Sequence, residues 1–208
     1  MPPIALLGND VVDLSTPCAV GRAGDLRFLE RVLSPRERDL LSLSVQPDRD
    51  LWALWAAKEA AYKAWSRTLP GLVFSPARFE VDPRAGLVTG PGGVCPVEWH
   101  DGPGRVHCLA RFAPRGRGPN LLWSVEPLGE EGPPPEGPPV SLESRRARAL
   151  ACRLLARAGF EGACLHREAR PGHRPGPPRV VVDGWVLEEV LVSLSHDGAW
   201  VAAAIAWG

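Results

Sequence analysis

The first hydrophobic pattern along the chain is an apolar, β-branched run over residues 4–14, which Gly8 and Asn9 interrupt. Such a run predicts a buried strand with a bulge or kink at the glycine. Asp10 then lies within or beside a core strand. Because a buried carboxylate is costly unless a cation or hydrogen-bond donors compensate its charge, Asp10 is a candidate functional residue.

Two helices are predicted next. Residues 34–37, Ser-Pro-Arg-Glu, have the capping-box pattern that begins a helix toward Leu43, and this pattern explains Glu37 as a capping residue, with a catalytic role as the alternative. Residues 50–67 are rich in Ala and Leu and contain no Gly or Pro, which predicts the main helix of the chain.

The main helix carries chemistry on one side. Trp52, Trp55, Glu59 and Lys63 follow one another at steps of three or four residues, so a carboxylate and an ammonium project from an otherwise apolar face. A salt bridge between Glu59 and Lys63 is the simplest explanation of this pair. Two carboxylates, Asp10 and Glu59, together with phosphate oxygens and water, are also what Mg²⁺ prefers.

The rest of the chain alternates strand and helix patterns around a Pro/Gly-rich stretch at residues 129–140, which is typical of a linker. An α+β domain of two packed lobes, residues 1–128 and 141–208, is therefore predicted. The predicted elements are strands over residues 72–81, 94–99, 105–112 and 121–126, a hairpin turn at 101–102, a helix over 141–158, and strands over 180–182, 190–195 and 200–207.

The composition of the chain limits the classes of partner and the cellular compartment that are expected. Lys+Arg and Asp+Glu number 24 each, so no net field favours nucleic acid or a membrane as partner. No apolar run approaches the roughly 20 residues that a membrane helix needs. The five cysteines are odd in number and include no close pair, which predicts buried free thiols in a reducing cytoplasm.

The usage of basic residues is uneven. Of the 24 cationic side chains 22 are arginine, and the two lysines, Lys58 and Lys63, both lie on the main helix. The use of lysine instead of arginine on this helix indicates that a compact ammonium is needed there, with chance clustering as the alternative. His100 and His107 flank the hairpin turn but match no zinc spacing, and we expect exposed or edge-strand side chains there.

Near the end of the chain, residues 193–198 read Ser-Leu-Ser-His-Asp-Gly, where a strand run stops at two hydroxyls, an imidazole and a turn. Strand-end loops often present ligand-binding groups. A Ser/His/Asp hydrolase is not favoured, because adjacent residues do not form a triad and no G-x-S-x-G elbow is present.

Three segments, taken together and in order, resemble the 4'-phosphopantetheinyl transferase superfamily. GNDVVDL, at residues 8–14, is similar to the family's Gly-x-Asp strand motif, and WAAKEAAYKAW, at residues 55–65, is similar to its W-x-x-K-E-A helix motif with a second lysine. VSLSHDGAWVAAAIAW, at residues 192–207, is similar to its Ser-x-Ser-His segment. The segments VLSPRE and GLVFSPARFEV also match, so the likeness covers most of residues 4–81 and 141–207.

The order of these segments has its own implication. The chain begins with the Gly-x-Asp strand, as the small holo-acyl-carrier-protein synthases do, but its length is nearer that of the two-lobed surfactin-type enzymes, whose Ser-His lobe comes first. The lobes are thus in exchanged order. The resemblance implies two similar lobes related by a pseudo-twofold axis, each a helix on a small antiparallel sheet, in a monomer with one site between them.

The resemblance also implies the reaction, in which the 4'-phosphopantetheine of coenzyme A is transferred with Mg²⁺ to a serine of an apo acyl or peptidyl carrier protein. There are two alternatives. The protein could be a catalytically silent relative that binds carrier protein or coenzyme A, or it could be a Mg²⁺-dependent nucleotide hydrolase. The assignments that it implies are Asp10 and Glu59 as metal ligands and Lys58, Lys63, Arg174, Ser195 and His196 as coenzyme A contacts. Glu59 and Lys63 are then the catalytic residues. For the proton of the serine, Glu59, Glu37 and a metal-bound water are all candidate acceptors, and the sequence does not choose among them.

Two positions depart from the family pattern. The surfactin-type enzymes have a second acid two residues after the first, whereas here Val12 takes that place and the acid is Asp13, which leaves a third protein ligand open. The Gly-Lys-Pro segment corresponds to residues 172–175, where Arg174 replaces the lysine. An arginine also binds phosphate, with a different geometry.

Overall fold

The structure is a computed structural model that describes residues 6–112, 120–129, 141–167 and 176–208. The helices are α1 (Leu26–Val32), α2 (Pro35–Ser42), α3 (Pro47–Trp65) and α4 (Leu142–Arg157), with 3-10 turns at Arg22–Gly24 and Pro76–Arg78. The strands are β1 (Leu6–Asp13), β2 (Glu80–Asp82), β3 (Leu87–Gly90), β4 (Gly93–Trp99), β5 (Arg105–Phe112), β6 (Asn120–Pro127), β7 (Cys164–His166), β8 (Arg179–Val182), β9 (Trp185–Asp197) and β10 (Trp200–Trp207).

The strands form two antiparallel sheets of five. The first has the order β1-β5-β4-β3-β2 and packs against α3, and the second has the order β6-β10-β9-β8-β7 and packs against α4. Each sheet and its helix enclose a hydrophobic cluster of their own. The predicted α+β class, with two lobes that each place a helix on a small antiparallel sheet, is confirmed.

The helix signals in the sequence have the expected physical effect. The Ser34 hydroxyl accepts from the Glu37 N–H and the Glu37 carboxylate accepts from the Ser34 N–H, so the capping box of α2 is formed. Helix α3 begins at Pro47, three residues before the predicted start, because proline is well suited to the first turn. It ends at Trp65 rather than at Arg67.

One strand prediction was wrong, and another strand lies in a different sheet from the one expected. Of residues 72–81, only Glu80 and Val81 belong to a strand, since Pro76 begins a 3-10 turn while Phe74 and Phe79 pack against α3. Strand β6 was assigned to the lobe of residues 1–128, but it pairs with β10 in the second sheet. The chain therefore passes from the first sheet to the second before Asn120, and not at the Pro/Gly-rich stretch.

A third, smaller cluster lies between the two sheets and joins the lobes. It contains Leu7 and Leu109 from the first sheet and Ala204 and Ala206 from the second. His107 also turns to this side, is fully buried and lies near the Trp123 ring. The expectation of an exposed or edge-strand His107 was wrong, because β5 is an interior strand with both faces covered.

The described cysteines are free thiols, as expected, but not all of them are buried. Cys95 and Cys108 lie in the core, whereas Cys18 and Cys164 are exposed. Among the described residues, no helix has the length and apolar character that crossing a bilayer requires.

Candidate functional site

The site begins with a close approach of β1 to α3. A Cβ atom built on Gly8 would lie 1.9 Å from the Ala60 carbonyl oxygen and 2.8 Å from the Ala64 nitrogen, so only glycine fits here. Gly8 and Asp10 lie on the same face of β1 because side chains alternate along a strand. The absence of a side chain at residue 8 thus brings the Asp10 carboxylate against α3.

Lys63 of α3 connects the elements of the site. Its ammonium donates to Asp10 Oδ1 at 2.7 Å, to the Asn9 carbonyl at 3.0 Å and to the Ser195 hydroxyl at 3.2 Å. Glu59 Oε2 lies 3.5 Å from the same nitrogen. The Ser195 hydroxyl in turn donates to Asp10 Oδ1 at 2.7 Å. The network therefore joins β1 and α3 of the first lobe to β9 of the second.

The charges of the site favour an ammonium at Lys63. Burial by itself would lower the pKa of Lys63, but the Asp10 and Glu59 carboxylates outweigh this effect and raise it. Lys63 is therefore a permanent positive charge at neutral pH. With its two carboxylates and the hydroxyl it forms the Lys63 cluster: Lys63, Asp10, Glu59 and Ser195.

The donor set fits a magnesium ion that also binds a phosphate-bearing ligand. Asp10 and Glu59 line the same cleft of about 270 Å³, and Mg²⁺ is commonly held by one or two carboxylates, with substrate phosphates and water completing its octahedron. In the part of the chain that the structure describes, no group of three or more His, Cys, Asp or Glu side chains could hold a metal.

The second lobe holds β1 through side chains. Along β9, the side chains of Ser193, Ser195 and Asp197 accept from the N–H groups of residues 9, 11 and 13, at 2.9, 3.2 and 2.8 Å. β1 is the edge strand of its sheet, so these N–H groups have no neighbouring strand to bind. We call Ser193, Ser195 and Asp197 the acceptor ladder.

Two clefts of opposite charge meet at the Lys63 cluster. The cleft of about 270 Å³ is lined by the acids Asp10, Glu59 and Asp197 and by the rings of Trp52 and Trp55. The larger cleft, of about 880 Å³, contains Lys63, and no acid lines it among the residues that the structure describes. Trp55 lies beside the site, in agreement with the predicted helix face.

Lys58 and Glu37 lie elsewhere. The Lys58 ammonium is fully buried and donates to Glu37 Oε2 at 2.6 Å and to the Val32 and Pro76 carbonyl oxygens. Glu37 Oε1 accepts from the Val81 N–H. Both side chains are saturated and inaccessible, and neither lines either cleft, so the geometry explains them as structural and not as a coenzyme A contact and a catalytic base.

Of the remaining predicted site residues, Ser195 and His196 lie at the site. Ser195 is in the Lys63 cluster, and His196 lines the smaller cleft, exposed, with its Nε2 3.2 Å from the Ser144 hydroxyl. Both residues are inside β9, which runs to Asp197, and not in the predicted strand-end loop. Arg174 lies outside the described residues.

Asp13 has a structural explanation. Its carboxylate accepts from the N–H and hydroxyl of Ser15 and from the Ala199 N–H. Burial by itself would raise the pKa of Asp13, but these hydrogen bonds outweigh it and lower the pKa. With both oxygens bound in this way, Asp13 fixes the end of β1 to the β9–β10 turn.

Sequence reasoning missed Asp197 and two arginines, Arg67 and Arg167. The signal for Asp197 was present, since Ser193, Ser195 and Asp197 are short acceptors at every second position of one strand. In the structure the Asp197 carboxylate accepts from the Asp13 N–H across the lobe boundary. No sequence pattern distinguished Arg67 and Arg167 from the other arginines.

Comparison with known proteins agrees with the motifs. The model of the 4'-phosphopantetheinyl transferase superfamily matches residues 6–104, which include β1 and α3. The match covers slightly under half of the chain and shows that this part is similar to the 4'-phosphopantetheinyl transferase superfamily. The family resemblance found in the sequence is confirmed, and it supports phosphopantetheinyl transfer as the general reaction.

Two solved structures are similar at low identity. Holo-[acyl-carrier-protein] synthase from Thermotoga maritima is 18% identical with a TM-score of 0.36, and the match covers 61% of this chain and 70% of that one. The enzyme of the same name from Neisseria meningitidis is 18% identical with a TM-score of 0.38, covering 51% and 95%. Both TM-scores are below 0.5. No curated protein matches this chain significantly.

Proposed function

We propose that this protein transfers the 4'-phosphopantetheine of coenzyme A, in the presence of Mg²⁺, to a serine of an apo acyl or peptidyl carrier protein, and releases 3',5'-ADP. The observation that carries the proposal is the position of the Lys63 ammonium, 2.7 Å from Asp10 and 3.5 Å from Glu59, where the acidic and the basic cleft meet. Such an arrangement suits a reaction whose main demand is neutralising phosphate charge.

Each residue of the cluster has a task in this proposal. In the transfer, the serine oxygen forms a bond to the β-phosphorus of coenzyme A while the bond to the departing 3',5'-ADP breaks. Lys63 offsets the charge that develops on the phosphate oxygens, and Ser195 orients Asp10 through its 2.7 Å hydrogen bond. Mg²⁺, held by Asp10 and Glu59, would polarise the phosphoryl group as a Lewis acid.

The serine proton needs an acceptor. Of the two acids predicted for this task, Glu37 is fully buried against Lys58, whereas the Glu59 side chain is 27% exposed and lines the acidic cleft. A general base must come within hydrogen-bond reach of the proton that it removes. The proposal therefore assigns the proton to Glu59.

The test is the intact mass of an apo acyl carrier protein and an apo peptidyl carrier protein after incubation with the protein, coenzyme A and Mg²⁺. We expect a gain of one phosphopantetheine that requires the metal and is lost in Glu59→Gln, but not in Glu161→Gln, which changes an exposed acid of the second lobe. Intact coenzyme A and unmodified carriers would favour silent binding. Coenzyme A cleavage without carrier modification would favour hydrolysis.

A further inference from the structure

The Lys63 ammonium contacts the two carboxylates that the proposed function assigns to Mg²⁺. Its Nζ atom lies 2.7 Å from Asp10 Oδ1 and 3.5 Å from Glu59 Oε2. An ammonium and a metal ion are both cations, and each is stabilised by the negative charge of the same carboxylates. Lys63 and Mg²⁺ therefore compete for Asp10 and Glu59.

Hydrogen bonds from both lobes fix the ammonium in this position. It also donates to the Asn9 carbonyl oxygen at 3.0 Å and to the Ser195 hydroxyl at 3.2 Å. Asp10 Oδ1 accepts from Lys63 and from the Ser195 hydroxyl, both at 2.7 Å. A metal ion at Asp10 must displace the ammonium from Oδ1, or bind Oδ2 with a positive charge beside it. Either arrangement weakens the binding of the metal.

The charges around the carboxylates lead to the same expectation. Asp10 and Glu59 are negative and Lys63 is positive, so the three groups together offer a dication a net charge of only about −1. Among the described residues, Asp197 is the one further acid that lines the acidic cleft, and its carboxylate is bonded to the backbone of β1. The attraction of the two carboxylates is strong enough to raise the pKa of Lys63 against the effect of burial. A dication alone has to overcome this attraction.

A phosphate ligand changes the balance, because it reaches Lys63 from the other side. Lys63 lines the larger cleft, which Arg67 and Arg167 also line and make basic. The two carboxylates line the smaller cleft instead. A phosphate in the larger cleft adds negative charge beside the ammonium and offers it new acceptors. The carboxylates are then left for the metal, for which phosphate oxygens are also favoured ligands.

We propose that Lys63 is an internal competitor of Mg²⁺. Without a phosphate ligand its ammonium neutralises Asp10 and Glu59 and keeps the affinity for the metal low, and a bound phosphate removes this inhibition. The inference rests on the proposed function, which identifies the phosphate ligand as coenzyme A. Because coupling between two ligands is reciprocal, the metal and coenzyme A raise each other's affinity by the same factor. The free protein therefore holds little Mg²⁺, and the metal binds together with the substrate.

Mn²⁺ is the probe for the metal, because it takes the same oxygen ligands and its free concentration can be measured by electron paramagnetic resonance. The titration is done without carrier, with and without coenzyme A, and is corrected for the Mn²⁺ that coenzyme A binds in the absence of protein. We expect coenzyme A to tighten Mn²⁺ binding to the wild type about 10- to 100-fold. Pantetheine, which has no phosphate, should leave the affinity unchanged.

Lys63→Met removes the competitor, so we expect it to bind Mn²⁺ about 10-fold more tightly than the wild type does without coenzyme A. The factor by which coenzyme A tightens Mn²⁺ binding should become smaller to about the same extent. Lys63→Arg keeps the positive charge and should keep the low affinity. Arg153→Gln is the matched control, because it removes a positive charge that is paired with Glu126 and lines neither cleft, and its affinity should equal that of the wild type.

Two further variants complete the experiment. Lys63→Gln is a second neutral variant, whose side chain can still form hydrogen bonds, and it should behave as Lys63→Met does. Glu59→Gln should weaken Mn²⁺ binding with and without coenzyme A, because the metal loses one of its two carboxylates. The inference is overturned if neither neutral variant binds Mn²⁺ more tightly than the wild type without coenzyme A. A wild-type affinity that coenzyme A does not change, or unchanged binding in Glu59→Gln, would overturn it as well.

Transfer assays separate this inference from the proposed function. If carrier is modified but neither Lys63→Met nor Lys63→Gln binds Mn²⁺ more tightly than the wild type, the transfer function stands and the competition is wrong. If no carrier is modified but the neutral variants bind Mn²⁺ more tightly and coenzyme A raises the wild-type affinity, the competition stands and the transfer function is wrong.

Discussion

Lys58 and Lys63 lie on one helix and differ in almost every physical respect. The Lys58 side chain is fully buried against Glu37, which is also fully buried, whereas the Lys63 side chain is 27% exposed between two carboxylates at the meeting point of two clefts. Burial outweighs the attraction of Glu37 and lowers the pKa of Lys58, while Asp10 and Glu59 raise that of Lys63. The same residue type thus occurs once as a buried link between helices and once as a partly exposed cation beside the clefts.

The spacing of the two lysines along α3 explains why their surroundings differ. Five positions along a helix correspond to roughly 140° of rotation, so the two side chains leave α3 on different sides. Lys58 points to the layer that contains α1 and α2, where it bonds the Val32 carbonyl oxygen. Lys63 points to β1 and the second lobe. Replacing both lysines by methionine, one at a time, is the direct test of this difference.

The largest effect is expected from Lys58→Met on stability. The variant leaves the Glu37 carboxylate buried without its cation, which should lower the free energy of unfolding by about 3–5 kcal/mol. Transfer activity per folded molecule should stay within about 3-fold, since Lys58 does not reach the clefts. Urea unfolding and the carrier mass assay measure the two quantities.

Adding Glu37→Gln to Lys58→Met is the control, because it removes the unpaired charge, and we expect it to restore part of the lost stability. A loss of activity in Lys58→Met without a loss of stability would contradict this interpretation and restore the predicted coenzyme A contact.

Lys63→Met should have the opposite profile. We expect kcat/KM to fall about 10²- to 10³-fold, the usual cost of removing a group that stabilises developing charge. Its stability should fall less than that of Lys58→Met, because Lys63 and Glu59 are partly exposed to water. Equal loss of stability in the two variants would show that the lysines have the same role.

A pH titration sharpens the comparison through His107, which is close enough to Lys63 to feel its charge. Burial first, and then the charges of His100, Arg105 and Lys63, lower the pKa of His107 to about 3 from 6.5. The unfolded chain therefore takes up a proton below pH 6.5 that the folded protein does not, so stability falls as the pH falls.

We expect this one group to reduce the free energy of unfolding by about 2 kcal/mol between neutral pH and roughly pH 5. His107→Gln should flatten that part of the profile in urea unfolding at several pH values. Ser42→Ala, which changes an exposed residue and no titrating group, should keep it. An identical slope in wild type and His107→Gln would contradict a neutral buried imidazole.

The smallest effect is expected from Ser193→Ala. It removes the acceptor of the Asn9 N–H, which is buried between the lobes, and should lower the free energy of unfolding by about 1 kcal/mol. Activity should be little changed, because Ser193 does not touch the Lys63 cluster. Ser42→Ala, at an exposed residue, is the matched control, and equal effects of the two variants would argue against the ladder.

The sequence predicted those parts of the fold that depend on local patterns. The strand containing Asp10, the capping box of α2 and the main helix follow from periodicity and capping chemistry. The two-lobed plan followed from the helix and strand patterns on both sides of the Pro/Gly-rich stretch. The pairing of β6 with β10 could not be read in the same way, because a strand pattern states which residues alternate and not which strand lies beside them.

The candidate site was predicted unevenly for the same reason. The helix periodicity of α3 identified Glu59 and Lys63 as candidate site residues, and the strand pattern identified Asp10. The ion pair of Glu37 with Lys58 could not be predicted, because it joins residues 21 apart through the packing of α2 on α3. Asp197 required the knowledge that β9 faces β1, a contact between residues 184 apart.

The acceptor ladder has a consequence for the synthesis of the chain. An uncovered strand edge is a template on which a strand of another molecule can add, and β1 is such an edge until Ser193, Ser195 and Asp197 cover it. The residues of the acceptor ladder follow their β1 partners by 184 positions in the chain, so β1 is synthesised long before β9. The edge of β1 therefore stays open to strand addition until β9 has been synthesised and folds back onto it.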